Sequence, residues 1–125
     1  IIDLIHSLKK KFILALTSSS SREEIELVLK EYQLDEFAVT VSADEVKNGK
    51  PDPEPYELTV EKLKLSPNEC VVIEDSKSGV ISAKSAGCYC IAVTTTHSKK
   101  DLKQADIILE SFKKINEKML RSFPL

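Results

Sequence analysis

Apolar residues fall into two spacings along this chain, and the two alternate. Ile1, Ile5, Leu8 and Phe12 recur at helical intervals, as do Ile25, Leu29 and Tyr32. Between these sets, Phe12 to Thr17 is a short apolar run of the kind that forms a strand buried on both faces. Read to the end, the pattern predicts helices over about 1–11, 22–33, 54–63, from Ser76 or Ser78 to Ala86, and 111–120. It predicts strands at 12–17, 38–42, 70–73, 88–93 and 106–109. Punctuation agrees with this. Ser20 or Ser21 stands where an N-cap belongs, Glu23 and Glu24 suit the positive end of the following helix, and Gly87 suits a left-handed residue past a helix end. Strands alternating with helices imply one parallel sheet covered on both faces, a three-layer α/β/α, Rossmann-like architecture.

Composition narrows the possibilities only modestly. A chain of 125 residues, 42% hydrophobic and 30% charged, is read as one soluble globular domain. A formal net charge of −2 carries no nucleic-acid footprint, and no apolar run approaches the ~20 residues that span a bilayer. Cys70, Cys88 and Cys90 lie in strand-like runs without a C-x-x-C spacing, so they are read as buried free thiols in a reducing, cytoplasmic setting.

In an open parallel sheet, ligands bind beyond the carboxyl ends of the strands. Three groups fall there: Thr17-Ser18-Ser19, Lys50 within Gly49-Lys50-Pro51-Asp52-Pro53, and Glu74-Asp75 after Val71-Val72-Ile73. Pro51 biases Lys50 toward extended backbone, from which its ammonium can reach an anion. An acidic pair at a strand end suits Mg²⁺, which takes one or two carboxylates plus water and phosphate oxygens. Asp75 could equally cap the next helix. Thr17, Ser18 and Ser19 offer hydroxyls and amides close to a helix start, a common way to hold phosphate. Asp3 and His6 lie in a helical pattern and are set aside. His97 stands at a strand end with no evident partner.

These segments, with Ser78-Gly79-Val80, Ala86-Gly87 and Ala105-Asp106-Ile107-Ile108, resemble the C-terminal part of the core domain of the haloacid dehalogenase superfamily. The similarity is strongest to its β-phosphoglucomutase-like phosphatases and phosphomutases, and it runs from about Ile1 to Leu120. The resemblance implies phosphoryl transfer on a small phosphorylated metabolite such as a sugar phosphate. It also implies that Thr17 bonds the phosphoryl group with help from Ser18 and Ser19, that Lys50 balances charge, and that Glu74 and Asp75 hold Mg²⁺.

One part of the family pattern is missing from these residues. No Asp-x-Asp-Gly-Thr segment, the family's nucleophile, occurs in the chain. The resemblance places that segment's strand in mid-sheet, between the strands ending at Thr17 and Glu74, with a helical cap nearby. The expectation is an incomplete core, inactive alone, whose partner is an upstream segment of the same protein. Without that strand, a gap of roughly 10 Å would separate strands normally ~4.8 Å apart, unless the flanking strands pair directly. The alternative expectation is a non-catalytic phosphate- or metal-binding module.

Overall fold

The computed structural model describes residues 1–124 and orders the chain as α1 (Ile2–Lys9), β1 (Leu14–Thr17), α2 (Arg22–Glu31), β2 (Phe37–Val41), α3 (Glu54–Leu63), β3 (Val71–Glu74), α4 (Lys77–Ser85), β4 (Tyr89–Val93), β5 (Ile107–Leu109) and α5 (Glu117–Arg121). Each end has a local cause. Ser21 caps α2 in a full capping box, its hydroxyl accepting from the Glu24 amide while the Glu24 carboxylate accepts from the Ser21 amide. Gly87 follows α4 at φ 90°, where a side chain would strain the backbone.

The last helix departs from the expected 111–120. A 3-10 turn at Phe112–Lys114 comes first, Ile115 is extended, and α5 begins only after Asn116. The Ser111 hydroxyl accepts from the Lys113 amide, and the Asn116 side chain accepts from the Met119 amide. The Asn116 side chain takes a backbone donor that a continuous helix would use, and Ser111 caps only a short 3-10 turn, which is why the apolar spacing alone misled.

All strand pairings are parallel, but the single expected sheet is two. β1 pairs with β2 in one, and β3, β4 and β5 pair in that order in the other. β1 and β3 share no hydrogen-bonded ladder, so the direct pairing that would close the gap does not occur.

Alternation along β3 to β5 builds three layers. Val72, Cys90 and Ala92 face Tyr56 and Val60 of α3 and Val80 and Ala83 of α4. Val71, Ile73, Ile91 and Val93 face the opposite side, where Leu4, Phe112, Ile115 and Met119 cover them. Cys88 and Cys90 are buried and free, and burial pushes their thiols up to about 11 and about 12. They are packing residues, as their apolar neighbours suggested.

Helix α3 packs on β1 and β2 and, through Tyr56 and Val60, on Val72, Cys90 and Ala92, and so spans both sheets. Its link to the first sheet is partly ionic. The Glu45 carboxylate pairs with Lys62 of α3 at 2.7 Å and with Arg22 of α2, which also bonds Thr40 of β2. The Lys62 ammonium, then the Ser42 amide, hold the Glu45 carboxyl at about 2. A depressed folded-state value stabilises above the ordinary glutamate range and is lost as pH falls toward 2. The urea midpoint of the parent should therefore drop between about pH 4.5 and 2, and a Glu45→Gln variant should show a flatter profile over that window.

Candidate active site

The loop before α3 is built to aim one lysine. The Asp52 amide donates to the Gly49 carbonyl at 3.0 Å, closing a turn around Lys50 and Pro51, whose peptide bond is cis. The Glu54 carboxylate accepts from the amides of Lys47 (2.7 Å) and Asn48 (3.0 Å), which hold its carboxyl below the usual range. From the other side, the Ser82 hydroxyl of α4 donates to the Asp52 carbonyl at 2.6 Å. Pinned at three points, the loop sends the Lys50 side chain under the strand ends.

There its ammonium joins the two sheets. Lys50 Nζ lies 2.6 Å from Glu74 Oε2 at the end of β3 and 3.2 Å from the Thr17 carbonyl at the end of β1. The lysine side chain is 11% exposed and the glutamate 7%, so the pair is buried. The Tyr56 hydroxyl donates to the same Glu74 oxygen, and Ser76 Oγ lies 3.4 Å from the other. Burial, then the Glu74 carboxylate, push the Tyr56 hydroxyl well above its ordinary value, so it stays a donor.

Space around the carboxylate is closed by Gly79 of α4. A Cβ at that position would stand 2.0 Å from Glu74 Cδ. The glycine here serves close approach, since α4 must pass directly over the carboxylate.

Glu74 and Asp75 do not converge on a common partner. Glu74 turns inward to Lys50 and Tyr56, whereas Asp75 is partly exposed and meets Thr96 Oγ1 at 3.3 Å through Oδ2. Among the described residues no group of three or more His, Cys, Asp or Glu side chains is placed to hold a metal ion. Asp75 supplies a hard carboxylate oxygen at the outer rim, while Glu74 Oε1 stays against Ser76 and Gly79. Such donors suit Mg²⁺ when phosphate oxygens and water complete the shell.

Thr17 Oγ1 sits 2.6 Å from Thr59 Oγ1 of α3. Ser18 donates its amide to the Val41 carbonyl and accepts from the Ser20 amide with its hydroxyl, while Ser19 is exposed. The start of α2 is also occupied. Its Glu24 amide is taken by Ser21 and its Arg22 amide by the Asp44 carboxylate at 2.7 Å. Backbone carbonyls and the protein's own side chains thus use donors that the sequence suggested for an anion, and the Thr17 and Lys50 side chains are likewise engaged, by Thr59 and by Glu74.

His6 is half-exposed, 3.4 Å from the buried Glu36 carboxylate and away from the site groups. His97 does have a partner, Thr96 Oγ1 at 2.9 Å from Nδ1, at the Asp75 rim.

Sequence reasoning missed Tyr56, Thr59 and Thr96. For the first two a signal existed: they stand three residues apart on the helix that follows the Lys50 loop, hence on one face.

Residues 1–93 match the family model described as haloacid dehalogenase-like hydrolase. The chain is 34% identical over 115 residues to validoxylamine A 7′-phosphate phosphatase of Streptomyces hygroscopicus subsp. limoneus, covering 90% of this chain and 54% of that protein. It is 51% identical over 79 residues to a phosphorylated carbohydrates phosphatase of Thermotoga maritima, covering 62% of this chain and 37% of the relative. A crystal structure of CbbY from Rhodobacter sphaeroides with xylulose-(1,5)bisphosphate superposes at a TM-score of 0.82 with 29% identity, over 91% of this chain and 53% of that one. The chain therefore spans about half or less of the length of these relatives.

Proposed function

The chain belongs to the haloacid dehalogenase-like hydrolases, and on that premise we propose that it carries the phosphate- and cation-binding half of a Mg²⁺-dependent phosphatase or phosphomutase site. The substrate class is a small phosphorylated metabolite such as a sugar phosphate, in keeping with the phosphorylated carbohydrates named for one relative and the xylulose bisphosphate bound to another. The setting is the cytoplasm. A single observation supports this reading most: one buried ammonium joins the ends of β1 and β3, beside a threonine hydroxyl and an acidic rim.

The roles follow from the geometry. Lys50 places positive charge where phosphoryl oxygens and a nucleophilic carboxylate would gather, and Glu74 fixes its ammonium there. Thr17 offers a hydroxyl to one phosphoryl oxygen. Asp75, together with the neighbouring Glu74, would hold Mg²⁺, which when bound neutralises charge on the phosphoryl oxygens. The accepting carboxylate belongs to an extended segment seated between β1 and β3, which have no ladder between them.

Tests follow on two levels. These 125 residues alone should release negligible phosphate from p-nitrophenyl phosphate, while binding inorganic phosphate in a Mg²⁺-dependent way. In an Asp75→Asn variant, calorimetric titration should show that Mg²⁺ dependence lost. Phosphate binding that is equal with and without Mg²⁺ in both proteins would remove the cation site from this reading.

A further inference from the structure

Hydroxyl protons can be counted at Thr59. The residue is 5% exposed and its hydroxyl has two oxygen neighbours, the Pro55 carbonyl at 2.8 Å and Thr17 Oγ1 at 2.6 Å. A threonine hydroxyl has one proton to give. Thr59 donates it to Pro55, one helical turn back, so the proton between the two hydroxyls comes from Thr17. In this arrangement Thr17 therefore points its donor into the fold.

We infer that Thr59 is a positioning residue for Thr17, a buried hydroxyl that fixes the Thr17 rotamer and hands its donor over when a phosphoryl group arrives. The inference rests on the reading of Thr17 given above. When Thr17 turns its proton to a phosphoryl oxygen, its own oxygen needs a donor behind it. Thr59 can swing its proton from Pro55 to Thr17, because the Pro55 carbonyl keeps the amide bond from Thr59 that the helix provides. No buried group is left without a partner in either state, and the two-hydroxyl chain polarises the outer donor. Position matters as much as chemistry here. Thr59 stands on the helix whose Tyr56 holds Glu74, so α3 sets the threonine and the Lys50–Glu74 pair in one frame.

Thr59→Val preserves shape and burial but removes the hydroxyl, and Thr59→Ser restores it. NMR three-bond couplings to the Thr17 methyl, measured on the full chain without ligand, report its χ1 directly. The parent and the serine variant should show one rotamer and the valine variant averaged couplings. Parent-like couplings in Thr59→Val would overturn the positioning role, whether or not phosphate binds. A titration with inorganic phosphate and Mg²⁺ then tests the hand-over: about fivefold weaker binding in Thr59→Val, near-parent binding in Thr59→Ser. Equal affinity in all three would overturn the hand-over. Absence of any response in the parent would instead remove the phosphoryl reading and leave the couplings to decide Thr59.

Discussion

A Gly79→Ala variant should unfold at much lower urea concentration than the parent, although alanine is the better helix former. Propensity alone would add up to about 1 kcal/mol at a helical position. The added methyl, however, would stand 2.0 Å from Glu74 Cδ and Oε1, within bonding distance rather than contact distance. Either α4 lifts off β3 or the carboxylate leaves its seat. Leaving separates Glu74 from Lys50 and Tyr56, and breaking a buried ion pair costs about 3–5 kcal/mol. The net loss expected is about 2–4 kcal/mol, with the ion pair outweighing propensity. Circular dichroism during urea titration measures it. A midpoint equal to or above that of the parent would mean that the close packing of α4 on Glu74 is not as described.

Replacing Lys50 with methionine should cost as much and reveal more. The side-chain stem is kept and the charge removed, leaving a carboxylate 7% exposed with only neutral donors, Tyr56 and Ser76. An uncompensated buried charge is the expensive case, and a loss of about 3–5 kcal/mol is expected together with loss of phosphate binding. Adding Glu74→Met should return most of the stability, since a buried ion pair and an apolar pair of similar volume are often of comparable stability. Phosphate binding should stay absent in the double variant. That split separates what Lys50 does for the fold from what it does for a ligand. A single variant as stable as the parent would show that the pair is not buried in solution.

The elements were largely written in local pattern. The α3 bounds, Glu54–Leu63, follow from the Pro-rich loop and the spacing after it, and the β1, β3 and β4 runs are apolar enough to leave little choice. Spacing failed at Ser111 to Leu120, where the Asn116 side chain took a backbone amide from the helix. At Thr59 it gave the helix face shared with Tyr56 and no more. A threonine inside a helix reads as neutral, and only packing of α3 across two strands shows which hydroxyl it meets. Lys50 and Glu74 were legible as charges at strand ends, but their mutual pairing was not, because sequence shows which edge a group occupies and not the direction of its side chain. The division into two sheets was likewise visible only through resemblance, since β-like runs do not declare their neighbours.

Because β1 and β3 share no ladder, the two halves are coupled where side chains clasp at one rim and where α3 lies across both. A tilt of either half is thus read out as a change in the spacing at the lysine tip. Any lever acting on α3 would move Tyr56 and Thr59, and with them the electrostatics around the lysine.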